Sequence, residues 1–176
     1  ELDLPTNESL FLSVGRFIKR KRPEMVIRGF QQSNIDGTLV MVGKGPLLDS
    51  CRELSGDSIV LPGYVEDVHK YFQAADYFIS ASIAEGLPMA VMEALACGLP
   101  VVLSDIGPHQ EIISINQDAG CLFTSSDVID CADSISSIVK QGYDHISSAA
   151  RNVVTEELNA ARMGRQYSSL YRHCRT

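Results

Sequence analysis

Short apolar runs alternate with amphipathic stretches through most of the chain, and several of the runs are continuously apolar, as strands covered on both faces must be. We predict strands over residues 9–15, 38–43, 58–63, 76–80, 100–104 and 120–123. We predict helices over residues 23–32, 46–55, 67–74, 88–97 and 108–115, and only helices from residue 127 onward. This strict alternation predicts an α/β fold, a Rossmann-like doubly wound parallel sheet of about six strands with helices on both faces.

Proline marks three of the predicted helix starts. Pro23, Pro46 and Pro88 each stand where a first helical turn would begin, because the missing N–H would be unpaired there in any case. In a doubly wound sheet, ligands bind outside the carboxyl ends of the strands. The strand-to-helix loops are therefore where we expect a functional site.

Composition narrows the class of protein. A length of 176 residues suits one domain, and no apolar run is long enough to span a bilayer. The formal net charge of −7 argues against nucleic-acid binding, although the basic run 19–22 could bind an anion. Five scattered cysteines without CxxC spacing indicate reduced thiols and a cytoplasmic protein. A start without Met indicates a fragment of a longer chain.

Two carboxylates stand in one of the least polar parts of the chain. The stretch AEGLPMAVMEALACGLPVV, residues 84–102, carries Glu85 in a predicted loop and Glu93 inside a predicted helix. A buried carboxylate is costly unless hydrogen-bond donors satisfy it. Sugar hydroxyls of a ligand could supply the donors, or Glu93 could pair with Arg16 or Lys21 within the protein, and the sequence leaves both open.

A second candidate loop, GRFIKRKRP, follows the first predicted strand. Gly15 allows a tight turn, Arg16 offers a planar fork of donors, and Lys21 adds a charge just before a helix N-terminus, which already favours anions. This combination predicts a phosphate site, with a solvated basic loop as the alternative. We expect solvation for the other cations of the run, Lys19, Arg20 and Arg22.

The remaining loops carry weaker signals. Gly43, in VGKGP, begins a pattern like a dinucleotide fingerprint, but Leu48 stands at the third glycine position, so a simple glycine turn is the alternative. Tyr64 and Val65 could border a ligand or belong to an ordinary connection. No DxD, HExxH, GxSxG or GxxxxGK[ST] signature occurs, so we expect no metal and no cofactor. We expect His109, at a predicted helix start, to have a capping or surface role.

Several segments together resemble one known family. SxxEGLPMAVMEALACGLPVV resembles the E-x7-E signature of family-four retaining glycosyltransferases, which have the two-domain GT-B fold, and SVGRFIKRKRPEMVIRGF resembles their phosphate loop. LVMVGKGP, VLPGYVED, YFQAADYFIS and EII follow in the family's order, so the resemblance covers about residues 9–141. It implies that residues 1–176 are one C-terminal, donor-binding half of a GT-B enzyme, with the N-terminal acceptor half outside this sequence.

The resemblance also implies roles for individual residues. Arg16 and Lys21 would hold the donor's diphosphate and offset charge on the leaving nucleotide, and Glu85 would contact the transferred sugar, which makes these three the catalytic candidates. Glu93 would accept hydrogen bonds from ribose hydroxyls. The other implied substrate-binding residues are Gly15, Gly43, Tyr64, Val65, Gly86, Leu87, Met89 and Ala90.

The implied reaction is metal-independent retaining glycosyl transfer from a nucleotide-diphosphate sugar to a glycan or lipid-linked acceptor, in polysaccharide assembly. The KRP segment favours GDP-mannose and a mannosyltransferase. The implied partners are the donor and the enzyme's own N-terminal domain, which would make any peripheral contact with the inner membrane surface, and the isolated domain would be inactive. Alternatives are a non-catalytic nucleotide-binding module, a sugar-nucleotide epimerase-like enzyme, and an NAD-dependent oxidoreductase, which Leu48 disfavours.

Overall fold

The structure, a computed structural model, describes residues 2, 4–5 and 7–173. Its centre is one sheet of six strands in the order β3-β2-β1-β4-β5-β6, and every neighbouring pair is parallel. The strands are β1 (Ser9–Val14), β2 (Gly37–Val42), β3 (Ile59–Gly63), β4 (Tyr77–Ser80), β5 (Val101–Ser104) and β6 (Gly120–Phe123). The predicted doubly wound α/β fold is confirmed. Its strand order reverses between β1 and β4, which is the position where such sheets bind ligands.

Helices follow each strand. They are α1 (Pro23–Ser33), α2 (Leu48–Leu54), α3 (His69–Ala74), α4 (Met89–Ala96), α5 (Gly107–Ile115), α6 (Val128–Val139), α7 (Tyr143–Asn152) and α8 (Ala160–His173), with a π-helical turn at Val153–Glu157. As predicted, the chain after residue 127 is helical as far as the structure describes it. Among the described helices none combines the length and apolarity that crossing a membrane requires.

Two of the three prolines do not occupy the predicted positions. Pro23 is the first residue of α1, as expected, but Pro88 caps α4 from outside and Pro46 lies in a turn before α2. The turn forms because the amide of Leu47 donates to the carbonyl of Phe17 at 3.0 Å. Because of this long-range bond, α2 begins at Leu48 rather than at Pro46.

Both faces of the sheet are covered by hydrophobic clusters. Alternate residues of β1 divide between them: Phe11 packs with helix α1 on one face, and Leu12 packs with α4 on the other. Phe11 and Leu12 are at most 1% exposed. Burial of both faces explains why the strands are continuously apolar rather than alternating.

The cysteines confirm the prediction of free thiols within the described residues. Cys51 and Cys131 are buried, Cys97 and Cys121 are half-buried, and all four are unpaired thiols. Burial raises the pKa of Cys51 to about 11 and that of Cys131 to about 12, so both stay protonated at neutral pH. The fifth, Cys174, lies outside the described residues.

Candidate functional site

Two loops meet where the strand order reverses. We call residues 15–22, after β1, the phosphate loop, and residues 81–88, after β4, the acidic loop. The amide of Ile83 donates to the carbonyl of Arg20 at 2.9 Å and joins the two loops. β1 and β4 are parallel neighbours, so both loops leave the same edge of the sheet. The fold therefore brings together two loops that lie about 60 residues apart in sequence.

An ion pair links the two loops. The ammonium group of Lys21 contacts Oε1 of Glu85, whose side chain is 7% exposed, while that of Lys21 is 25% exposed. Burial alone would raise the pKa of Glu85, but hydrogen bonds from Lys21 and Ser82 and the charge of Lys21 lower it below its usual value. Glu85 is therefore ionised at neutral pH, and the protein itself supplies the donors that the sequence left open.

Glu93 has a different environment from the one expected. It lies on α4, whose residues Val91, Ala94 and Leu95 are buried, but its own side chain is only half-buried. Lys21 pairs with Glu85 rather than with Glu93, and the Glu93 carboxylate has no ion pair with any residue that the structure describes. The alternative in which Glu93 pairs with Arg16 or Lys21 is therefore not formed among the described residues, and binding of a ligand by Glu93 stays a prediction.

Part of the phosphate loop is open to solvent. Arg16 is exposed and borders, with Lys21 and Ser82, a small cavity at the carboxyl ends of β1 and β4. The amide of Gly15 donates to the carbonyl of Val42 at 3.0 Å, so the loop begins anchored to β2. Two cationic side chains thus border one cavity, and one of them, Lys21, also contacts Glu85.

The basic run divides into solvated and bonded cations. Lys19 and Arg20 are exposed, as predicted. Arg22 is half-buried and donates to the carbonyl of Ser125, so the prediction of solvation is wrong for this residue. Arg22 also has left-handed backbone geometry, with φ 48° and ψ 54°, directly before α1. The contact with Ser125 fixes this unusual turn next to Lys21.

Gly43 allows the turn after β2 to pack closely against the phosphate loop. Its φ is +148°, and a Cβ at this position would lie 1.8 Å from the carbonyl oxygen of Gly15. A Cβ at Gly45 would lie 2.4 Å from the carbonyl oxygen of Phe17, which is also too close. The turn after β2 therefore supports the phosphate loop, and contact of Gly43 with a ligand stays a prediction.

Tyr64 and Val65 lie farther along the same edge of the sheet, after β3. Tyr64 is 64% exposed, and the ammonium group of Lys44 lies 4.6 Å from its ring centroid. Val65 is half-buried against the second hydrophobic cluster. β3 is two strands away from β1, so these residues extend the site sideways from the phosphate loop.

The tip of the acidic loop and the start of α4 form an apolar rim. Leu87 and Met89 are 64% and 54% exposed, and Ala90 is half-buried. No heavy atom lies within 4 Å of a Cβ built on Gly86. The structure leaves room at Gly86 for a ligand, and the binding roles of these residues stay predictions.

A buried polar group beneath the acidic loop was not predicted. His109 is completely buried, so the expected capping or surface role is wrong. Its Nδ1 lies 2.8 Å from the carbonyl oxygen of Ser104, whose hydroxyl donates to the carbonyl of Ser82 at 2.5 Å. The signal in the sequence was one serine at the end of an apolar strand, Ser104, and another just beyond the end of its neighbour, Ser82.

Comparison with known proteins identifies the family. A sequence profile described as "Glycosyl transferases group 1" matches residues 1–153. The chain belongs to this family. Membership in the group 1 glycosyl transferases does not favour the epimerase-like or NAD-dependent alternatives.

Individual relatives cover nearly the whole chain. It is similar to the N-acetyl-alpha-D-glucosaminyl L-malate synthase of Bacillus anthracis, with 26% identity over 97% of this chain and 47% of that protein. It is also similar to the UDP-Gal:alpha-D-GlcNAc-diphosphoundecaprenol alpha-1,3-galactosyltransferase of Escherichia coli, with 27% identity over 97% of this chain and 47% of that protein. This group 1 glycosyltransferase chain spans about half the length of these relatives.

Solved structures share the fold. Sucrose-phosphate synthase of Thermosynechococcus elongatus superposes with a TM-score of 0.82 and 26% identity, covering 98% of this chain and 47% of that one. HepE of Anabaena, in a complex with UDP, gives a TM-score of 0.83 at 20% identity, covering 95% of this chain and 49% of that one. These likenesses confirm the Rossmann-like architecture of this group 1 chain.

Proposed function

We propose that this chain is the C-terminal, donor-binding half of a retaining glycosyltransferase of the GT-B type. The phosphate loop and the acidic loop bind a nucleotide-diphosphate sugar, and a second domain holds the glycan or lipid-linked acceptor. One observation carries the proposal: Lys21 and Glu85 meet at the point where the strand order reverses. The chain's coverage of about half of its relatives supports a second domain.

The proposed chemistry follows from the charges at this edge of the sheet. Transfer breaks the bond between the anomeric carbon and a diphosphate oxygen, which builds positive charge on the sugar and negative charge on the diphosphate. Arg16 and Lys21, which border one cavity, would offset the negative charge. By analogy with oxyanion-hole donors, each is worth about 3 kcal/mol of transition-state stabilisation. We infer that these cations take the place of a metal ion.

The Lys21–Glu85 ion pair suits an exchange of partners when the donor binds. Lys21 would turn from the carboxylate towards the diphosphate, and the sugar hydroxyls would donate to Glu85 in its place. Glu93, half-buried and without an ion pair among the described residues, would accept hydrogen bonds from the ribose. Lys21 and Glu85 would each have a partner before and after binding, which keeps the cost of the exchange low.

A further part of the proposal concerns which nucleotide sugar is the donor. The KRP segment predicts GDP-mannose, whereas the name of the Escherichia coli relative specifies UDP-galactose. Because the relative matches nearly the whole chain, we propose a UDP-sugar as the first donor to test and GDP-mannose as the second. The expectation of mannosyl transfer depends on the outcome.

Calorimetric titration with nucleotides tests the proposal. The purified chain is titrated with UDP, GDP, ADP, NAD, UDP-galactose and GDP-mannose. We expect a nucleoside diphosphate to bind and Glu93→Ala to weaken it at least about tenfold, because hydrogen bonds to a charged group contribute about 1.5 kcal/mol or more. Glu53→Ala, at an exposed position of α2, is the matched control and should bind as the wild type does.

Three outcomes would count against the assignment. Failure of every nucleoside diphosphate to bind at millimolar concentration would contradict a donor site, and preferential binding of NAD would favour an oxidoreductase. Equal affinity of Glu93→Ala and the wild type would remove Glu93 from the site.

A further inference from the structure

Buried polar side chains are concentrated beneath the acidic loop. Apart from tyrosine, four polar residues are buried among those that the structure describes: Thr38, Ser82, Ser104 and His109. Three of them, Ser82, Ser104 and His109, are 0% exposed and belong to one hydrogen-bonded network. A buried polar group is costly when it is unsatisfied. Packing alone therefore does not explain why these three polar side chains are grouped at the carboxyl ends of β4 and β5.

The network runs from His109 to the ion pair. Nδ1 of His109 donates to the carbonyl of Ser104, because a carbonyl oxygen can only accept. The hydroxyl of Ser104 then donates to the carbonyl of Ser82. The side chain of Ser82 in turn interacts with the carboxylate of Glu85 and lowers its pKa, and this carboxylate contacts Lys21. Four consecutive contacts thus connect a buried imidazole with Lys21.

The imidazole ring keeps one protonation state at neutral pH. With the proton on Nδ1, Nε2 is a bare acceptor, and it has no hydrogen-bond partner in the described part of the chain. Burial lowers the pKa of His109, against the opposing effect of the Ser104 hydrogen bond, while the charges of Glu85 and Lys21 act on it with opposite signs. A neutral ring with a fixed tautomer is a constant donor towards Ser104.

We propose that His109 is a positioning residue for the sugar-binding carboxylate of the donor site, acting through Ser104 and Ser82 on Glu85. This inference rests on the proposed function, which assigns the sugar contact to Glu85. His109 itself is completely buried, so it does not contact the donor. Its role is to hold the start of α5 and the end of β5 so that Ser82 meets the carboxylate beside Lys21.

The test measures the pKa of Glu85 by 13C-carboxylate NMR, with Glu85→Gln to assign the signal. His109→Leu keeps a similar volume but lacks the Nδ1 donor, and we expect it to raise the pKa of Glu85 by about 0.5 or more. His109→Asn should restore most of the wild-type value, because its amide can donate in place of Nδ1. An unchanged Glu85 pKa in His109→Leu would overturn the proposal.

Thr38→Val is the matched control. It also removes a side-chain hydrogen bond of a buried residue, from Thr38 Oγ1 to Glu8 at 2.5 Å, but near the amino end of β2. It should lower stability and leave the pKa of Glu85 unchanged. If His109→Leu does not fold, Ser104→Ala interrupts the same network at the hydroxyl that bonds Ser82 and should raise the Glu85 pKa in the same direction.

Binding measurements separate this inference from the proposed function. We expect His109→Leu to bind UDP within about twofold of the wild type and to lose the additional affinity that the wild type has for UDP-galactose. Retention of that additional affinity in His109→Leu would contradict the positioning role. Failure of the wild type to bind UDP, GDP or ADP would instead contradict the proposed function, and the NMR titration would still decide whether His109 positions Glu85.

Discussion

Replacing Lys21 by methionine tests the ion pair without any ligand. Lys21→Met keeps an unbranched side chain but leaves the carboxylate of Glu85, 7% exposed, without its cation. Removing one partner of a fully buried pair costs about 3–5 kcal/mol. Lys21 is a quarter exposed, and Ser82 still donates to the carboxylate, so water and one hydroxyl replace part of the loss. We therefore expect the free energy of unfolding to fall by about 2 kcal/mol at pH 7.

Urea denaturation of a double-mutant cycle measures this effect. Lys21→Met, Glu85→Gln and the double variant are compared with the wild type, and the m-values check that all unfold in the same way. The double variant should regain at least half of the loss of Lys21→Met, because a neutral amide needs no cation. Lys70→Met is the control, since Lys70 and Asp67 form an ion pair 3.2 Å apart with both side chains more than half exposed. It should cost less than about 0.5 kcal/mol.

Additivity would refute this reasoning. If Lys21→Met costs no more than Lys70→Met, or if the double variant loses the sum of the two single losses, Lys21 and Glu85 do not stabilise each other. The ion pair could then not hold the site together before the donor binds.

Two further predictions concern stability. Gly43→Ala should lower the free energy of unfolding, measured in urea, by about 3 kcal/mol, because φ at this position is +148° and the new Cβ would lie 1.8 Å from the carbonyl oxygen of Gly15. Gly86→Ala is the control: nothing lies within 4 Å of its Cβ, and its free energy of unfolding should stay within about 0.5 kcal/mol of the wild type. Stability should fall on acidification in two windows. Below about pH 6.5 the unfolded chain binds a proton at His109 before the native state does, because the native pKa is lowered, so the free energy of unfolding falls with pH. His109→Leu should flatten this pH dependence in urea titrations from pH 7.5 to 5. Below about pH 4.5 the contribution of Glu85 to the free energy of unfolding is lost as the pH falls through its native pKa, which is also lowered. Glu85→Gln should flatten this second slope. For either residue, equal slopes in the variant and the wild type would contradict the assignment.

The fold was predictable because its determinants are local. Each strand is an apolar run that both faces of the sheet bury, as Phe11 and Leu12 illustrate, and this pattern is visible in the sequence alone. The start of α2 was not predictable in the same way. The hydrogen bond from Leu47 to Phe17 joins residues that lie 30 apart in sequence, and no local sequence pattern predicts it.

The same distinction applies to the site. The motifs pointed to Lys21 and Glu85, but their mutual contact spans 64 residues and follows from the adjacency of β1 and β4. Arg22 looked solvated because a charged run is usually solvated, whereas its partner Ser125 lies 103 residues away. His109 looked like a surface residue because a helix start is usually exposed, but α5 packs its first turn against the end of β5.

A map of where UDP binds on the chain shows whether the two loops form the donor site. Backbone amide signals of the 15N-labelled chain are followed by NMR during titration with UDP. We predict that the largest shifts fall in the phosphate loop, at Gly15 and Lys21, and around the acidic loop, at Glu85 and Glu93. Shifts concentrated near Thr38, towards the opposite edge of the sheet, or no shifts at millimolar UDP, GDP or ADP, would contradict it.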